Sequence, residues 1–190
     1  MPDLERQLRR FAAAGVAIEE RAPCSCIDLR GDPRDVRFVR AVQSATDLRP
    51  PSDATAPASG LLASILWLGP DQWLILSDAQ AGEGLITSLR TALQGIPGAV
   101  TDVGHARIVY AVSGSNARSV LAKGCPLDLH ERAFPLGRSA QTLLAKVPVI
   151  VHRSGAEPKF DLFVARSFRD YAWDWLQSAA SEYAAGTGAA

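Results

Sequence analysis

Two thiols stand two residues apart, at Cys24 and Cys26, and a third follows at Cys125. On an extended strand, side chains two apart share a face, so Cys24-x-Cys26 could supply half of a thiolate metal site. Zinc motifs space their cysteines further apart and add a second pair downstream. No second pair is present, and small buried thiols are the simpler reading. His105, His130 and His152 are scattered, without HxxxH, HxH or HExxH spacing. Cys125, Asp128 and His130 lie close enough in the chain to suggest a nucleophile with its base and acid. A catalytic thiol, however, needs a base within hydrogen-bond reach and surroundings that lower its pKa, which adjacency does not provide. A loop that packs on something is the favoured reading.

The glycines are no more specific. Arg30-Gly31-Asp32 and Ser113-Gly114-Ser115 lead into predicted helices whose N-terminal amides could hold an anion. Neither is a dinucleotide or P-loop fingerprint, and helix capping alone explains both. Lys123-Gly124 reads as a helix C-terminus, with a cation for the dipole and a glycine at C′.

The elements that would position these residues follow from spacing. Leu4, Leu8 and Phe11 make a weakly amphipathic segment inside an N-terminal extension, residues 1–22. A strand is predicted over 24–29, then a helix capped by Asp32, with Pro33 as its first residue, running to about Thr46. A Pro/Ser/Ala loop spans 50–60. Strands over 61–68 and 73–77 are joined by a turn at Gly69-Pro70-Asp71-Gln72. A helix over 83–93, stopped by Gly95 and Pro97, precedes strands at 99–103 and 106–112. The second half repeats this order: a helix after Gly114, strands at 140–145, 149–152 and 160–165, and a helix from Ser167 to about Tyr183. Residues 185–190 read as a frayed tail. The fold class is therefore α+β, two interlocked ferredoxin-like units, in lobes of about 23–104 and 105–184.

Composition sets the outer limits. Twenty basic residues balance twenty acidic ones, which argues against a nucleic-acid or anionic-membrane binder. No stretch has signal-peptide or membrane-span character, so the compartment is expected to be cytoplasmic, and an odd number of cysteines there reads as reduced thiols.

In the last predicted helix, Ser167 with Asp170 forms a capping pair. Phe168, Tyr171, Ala172, Trp175, Leu176, Ala179 and Tyr183 form one apolar stripe that reads as core. Trp173 falls off that stripe, and partner contact and partial burial are balanced alternatives for it.

The run Val120-Leu121-Ala122-Lys123-Gly124-Cys125-Pro126-Leu127-Asp128-Leu129-His130 resembles the gamma subunit of heterotetrameric sarcosine oxidase. So do Arg132-Ala133-Phe134-Pro135, Ala140 to Lys146, Phe160 to Phe168 and Tyr171 to Leu176. In the first half, Leu29-Arg30-Gly31-Asp32-Pro33 and Leu66 to Leu76 fit as well. The resemblance covers about residues 23–184. Glu131 and Leu136 depart from it where proline is expected, and Ser139 where cysteine is frequent.

The resemblance implies a fold similar to the folate-binding aminomethyltransferases and a subunit without catalytic, cofactor-binding or metal-binding residues of its own. Alpha and beta subunits would carry FAD, FMN, NAD and the tetrahydrofolate site, and a delta subunit the zinc. The complex would demethylate sarcosine oxidatively to glycine, with hydrogen peroxide and a one-carbon unit as co-products. Two alternatives stay open: the gamma subunit of a related N-methyl amine oxidase, and a folate-binding aminomethyltransferase-like protein. The loop after Lys123 is stiffened by Pro126 and Pro135, and stiff loops lose little entropy on binding. Leu127, Leu129, Phe134 and Trp173 are therefore expected at the contact with the large flavoprotein subunits. The alternative is that they plug space between the lobes.

Overall fold

The computed structural model describes residues 8–54 and 58–184. The strands are β1 (Arg10–Ala13), β2 (Val16–Glu20), β3 (Ser25–Gly31), β4 (Ala58–Ser59), β5 (Ser64–Gly69) and β6 (Gln72–Ser77). They continue with β7 (Gly98–Asp102), β8 (Arg107–Ser113), β9 (Ser139–Leu144), β10 (Val147–Gly155) and β11 (Lys159–Ala165). The α-helices are α1 (Val36–Thr46), α2 (Ala79–Ala92), α3 (Ala117–Ala122) and α4 (Arg169–Ala180).

Two antiparallel sheets result, ordered β4-β5-β6-β3-β7 and β1-β2-β8-β11-β10-β9. The first contains a complete βαββαβ unit, β3-α1-β5-β6-α2-β7. Its spatial order β5-β6-β3-β7 is the ferredoxin-like arrangement, with each of the two crossover connections passing through a helix. The second unit runs β8-α3-β10-β11-α4, with β9 inserted before β10. The place of its fourth strand, beside β8, is taken by β2 from the other end of the chain.

Period-two alternation assigns the faces. In the first sheet Ile27, Leu29, Trp73 and Ile75 pack against Phe38, Val42, Ile86 and Leu89 of α1 and α2. In the second sheet Tyr110, Val112, Leu162 and Val164 pack against Val120, Leu121, Trp173 and Leu176 of α3 and α4. The opposite faces meet each other through Cys26, Leu66, Leu74, Val109, Ile150 and Phe163. The order of layers is helices, sheet, sheet, helices. Ser139 Oγ and Gln141 Nε2 of β9 each donate at 2.9 Å to Trp67 O and Leu68 O of β5, tying the sheets together along one edge.

Several expectations require correction. Phe11 lies on a strand, not a helix, because β1 and β2 form a hairpin with register Ala13↔Val16 around Ala14-Gly15. Gly15 takes φ +68°, which glycine adopts without strain. Residues 10–20 are thus part of the second sheet and not an appendage. Leu4 and the tail 185–190 lie outside the described residues, as do positions 55–57 of the Pro/Ser/Ala loop. α1 starts at Val36, and its cap is Asp35, whose carboxylate accepts from Arg37 N. Asp32 instead closes the preceding turn by accepting from Arg34 N. α2 begins at Ala79, one turn earlier than predicted. α4 begins at Arg169 without a side-chain cap, so the Ser167–Asp170 pair does not form. Its buried face is Ala172, Trp173, Leu176, Ala179 and Ala180, while Phe168 and Tyr171 are exposed. The buried face is thus shifted to include Trp173 and Ala180, while Trp175 and Tyr183 of the expected stripe still pack against the same core.

Candidate functional site

The segment from Arg21 to Cys24 crosses from β2 in one sheet to β3 in the other, and a cleft of about 770 Å³ opens beside it. That volume falls within the range of small-molecule sites, roughly 300–1,000 Å³. The crossing segment is anchored where Arg21 N donates to Val109 O at 2.8 Å. The start of α2 closes one side. Gly82 is required there, because a Cβ would stand 2.4 Å from Ser25 Oγ.

Cys24 and Cys26 both line this cleft, with Sγ atoms 3.6 Å apart. Cys24 is half-buried and Cys26 buried. The hydrogen bond from Cys26 holds the Cys24 thiol down at about 7, against the opposing effect of burial. Donating to that thiolate, and then burial, push Cys26 well above the ordinary thiol range. The two sulfurs therefore share one proton near neutral pH. The pair is thus brought together as its spacing suggests, although only Cys26 lies on the strand and Cys24 precedes it. No group of three or more His, Cys, Asp or Glu side chains placed to hold a metal ion occurs among the described residues.

The Cys125–Asp128–His130 constellation is not assembled. Cys125 is buried, and burial raises its thiol pKa. Asp128 accepts from His130 N at 2.9 Å, and His130 Nδ1 accepts from Arg132 N at 3.3 Å. Both side chains are spent on loop geometry. His105 lies in a 3-10 turn, where its carbonyl accepts from Arg166 Nε at 2.5 Å. His152 lies opposite Asp161 in the β10–β11 ladder. Burial lowers its pKa, and the Asp161 charge partly offsets this.

The glycine motifs serve packing. A Cβ at Gly31 would stand 2.1 Å from Phe38 Cε2, so Gly31 makes room for the α1 anchor. Gly114 abuts Gly15 O, with 2.4 Å to an added Cβ. Asn116 does not cap α3. Its backbone N–H donates to Gly15 O at 2.8 Å and its side chain to Ala14 O at 2.9 Å, pinning the hairpin turn. Gly124 has no left-handed φ; an added Cβ would stand 2.4 Å from Trp175 Cζ2, so it is a close-approach glycine. Lys123 reaches past its own helix to the Ala179 carbonyl and, at 2.7 Å, to Glu182.

The expected docking side chains are largely inside this chain's own core. Leu129, Phe134 and Trp173 are only 4%, 2% and 7% exposed. All three belong to the cluster beneath the second sheet, with Leu127 packed against its margin. The expected contact through Leu129, Phe134 and Trp173 is thereby corrected: these side chains are already desolvated without a partner. Arg153, also buried, explains the loop's shape by donating from Nη1 to Phe134 O at 3.0 Å and from Nη2 to Ala156 O at 3.2 Å.

One site went unseen in the sequence. Glu20, 4% exposed, accepts from Arg169 Nε at 2.9 Å and from Arg169 Nη2 at 2.7 Å. The partners are 149 residues apart, and no local spacing links them. The only signal was an acidic residue at the alternating inward position after Val16 and Ile18.

Residues 30–182 match the model of the sarcosine oxidase, gamma subunit family. The chain belongs to this family. "Sarcosine oxidase subunit gamma" of Arthrobacter sp. is 41% identical over 124 residues, which are 65% of this chain and 60% of that relative's length. Among solved structures, a chain of the heterotetrameric sarcosine oxidase from Corynebacterium sp. U-96, in complex with pyrrole 2-carboxylate, is 32% identical. The match covers 94% of this chain and 90% of that one, with a TM-score of 0.85. The glycine cleavage system aminomethyltransferase T from Bartonella henselae matches 87% of this gamma-family chain and 46% of its own length, at TM-score 0.63 and 16% identity. That last likeness is one of fold, and it agrees with the doubled α+β reading.

Proposed function

We propose that this chain is a structural, non-catalytic subunit of a heterotetrameric sarcosine oxidase that oxidatively demethylates sarcosine to glycine in the cytoplasm. The observation that carries the reading is the likeness, over 94% of the chain, to a chain of a heterotetrameric sarcosine oxidase. Its partners are alpha, beta and delta subunits, which hold FAD, FMN, NAD, zinc and the tetrahydrofolate site. Hydrogen peroxide and a one-carbon unit are the co-products. The spending of Asp128 and His130 on backbone turns supports a non-catalytic role. So does the burial of Cys125, which raises its thiol pKa.

The test is co-purification. An affinity-tagged chain should bring down yellow, flavin-containing partners and sarcosine-dependent peroxide formation, while the chain alone shows neither flavin absorbance nor turnover. Flavin that stays with this chain after denaturing separation from its partners would overturn the non-catalytic reading. Failure to capture any flavoprotein from cells expressing the other subunits would overturn the assembly.

A further inference from the structure

We propose that Cys24 and Cys26 form a reversible dithiol–disulfide couple in the cleft between the two sheets, with a hydroperoxide as oxidant. This goes beyond the assembly role and does not depend on it.

Geometry carries the proposal. The sulfurs are already 3.6 Å apart, in contact but unbonded. Extended residues rise about 3.3 Å each, so Cα atoms two apart are separated by roughly 6.6 Å. A disulfide tolerates Cα separations up to about 6.8 Å. The bond is therefore within reach, near its limit, and a strained disulfide of this kind is readily reduced again. Cys24 has the freedom to close the gap. It precedes β3, whose ladder to β6 begins only at Ser25↔Ser77. Cys26 is fixed in the ladder opposite Leu76 and packed between the sheets.

The two environments divide the labour. Cys24 faces the open cleft and, with a pKa of about 7, is about half thiolate at neutral pH. Its sulfur attacks the hydroperoxide, the O–O bond breaks, the alcohol or water leaves with one proton, and Cys24 becomes a sulfenic acid. Cys26 then attacks the Cys24 sulfur, loses its proton and expels hydroxide, which departs as water. Two thiols are oxidised to one disulfide, and the hydroperoxide is reduced. Cys125, buried with a raised pKa, takes no part. Since Cys24 ends the segment that joins the sheets, the new bond draws that segment toward β3 and narrows the cleft.

The experiment titrates the full chain with hydrogen peroxide, alkylates it under denaturing conditions and maps the peptides. The expected result is a loss of two hydrogens, with Cys125 the one alkylatable thiol remaining where the reduced chain shows three, and full recovery on adding dithiothreitol. Cys26→Ser should stop at sulfenic or further oxidised Cys24, and Cys24→Ser should lose the reaction. In the native chain at pH 7, Cys24 should alkylate roughly tenfold faster than a free cysteine would from its thiolate fraction. Sulfinic acid at Cys24 of the wild type without a Cys24–Cys26 link would overturn the proposal. Linkage to Cys125 or to a second chain, or unreactive thiols in a chain shown to be folded, would do the same.

Discussion

The first ferredoxin-like unit draws its strands and helices from one uninterrupted stretch, Ser25 to Asp102, whereas the second is closed by a strand from the opposite end of the chain. The contiguous unit relies on local devices: a side-chain cap at Asp35, glycines that clear Phe38 and Ser25, and apolar alternation. The borrowed strand needs long-range fasteners. Glu20 pairs with Arg169 across 149 positions, and Asn116 reaches Ala14 across 102. Arg9 adds an exposed ion pair with Asp170 and stacks over Trp173 at 5.8 Å. A strand supplied from far away in sequence is held by paired charges and backbone hydrogen bonds because no short connection holds it. The second unit should accordingly be the more sensitive to polar substitutions.

The largest effect is expected at the loop that plugs this second unit. Leu129→Asp places a carboxylate among Val120, Leu121 and Trp173, and should cost more than about 4 kcal/mol and unfold the free chain. Leu136→Asp, seven positions on but 51% exposed, should leave the melting temperature nearly unchanged. Thermal unfolding by circular dichroism measures both. If Leu129→Asp melted like the wild type yet failed to assemble, the side chain would be a docking residue after all.

Glu20→Ala comes next. Removing the buried carboxylate of this bidentate pair leaves the part-exposed Arg169 guanidinium without its partner, at a cost of about 1.5–3 kcal/mol. Hydrogen exchange should show protection lost across β1, β2 and the start of α4 while β3, β5 and β6 keep theirs. Equal loss in both sheets would mean the two units unfold as one and would erase the distinction between them.

The same contrast explains what was legible in the sequence. In the first unit each signal is local, and the strands expected over 24–29, 61–68 and 73–77 lie within a few residues of β3, β5 and β6. The start of α1 moved because Asp32 and Asp35 are both good caps and the turn at Pro33 used the first, and the two-residue strand β4 lies in what reads as loop. In the second unit the inner strands were equally readable, yet the hairpin that completes it was not. Leu4, Leu8 and Phe11 suggested a helical period, and the Val16–Ile18–Glu20 alternation was too short to compete. The Cys24–Cys26 pair was visible as spacing, but its asymmetry depends on burial, which spacing does not report. The burial of Trp173 on α4 follows from its packing against Tyr110, a partner distant in sequence that no local spacing marks.

His152 gives a pH-dependent test confined to the second sheet. Burial depresses its pKa below the ordinary value near 6.5, so the folded state resists protonation that the unfolded chain accepts. As pH falls below about 6.5, the unfolded state binds more protons and stability declines. The contribution is fully present above that pH and is lost progressively below it. His152→Gln should flatten the pH dependence of the melting temperature between about pH 7 and pH 5. An unchanged slope would assign the acid sensitivity to other groups.

The smallest effect separates two helix entries that look alike in sequence. Asp35 caps α1 through Arg37 N, so Asp35→Ala should cost about 1 kcal/mol, as for any lost N-cap. Asn116 holds the corresponding position before α3 but uses its amide to donate to Ala14 O. For a true cap, Asn and Asp are nearly equivalent, so Asn116→Asp would be close to neutral. Here the carboxylate has no hydrogen to donate and faces a carbonyl oxygen, so a net loss of about 1 kcal/mol is expected. That loss should appear as faster hydrogen exchange in the β1–β2 turn, with α3 itself unaffected. A neutral Asn116→Asp, or one that frays α3 while the turn stays protected, would return this residue to an ordinary capping role. It would also leave the Glu20–Arg169 pair as the hairpin's main long-range side-chain fastener among the described residues.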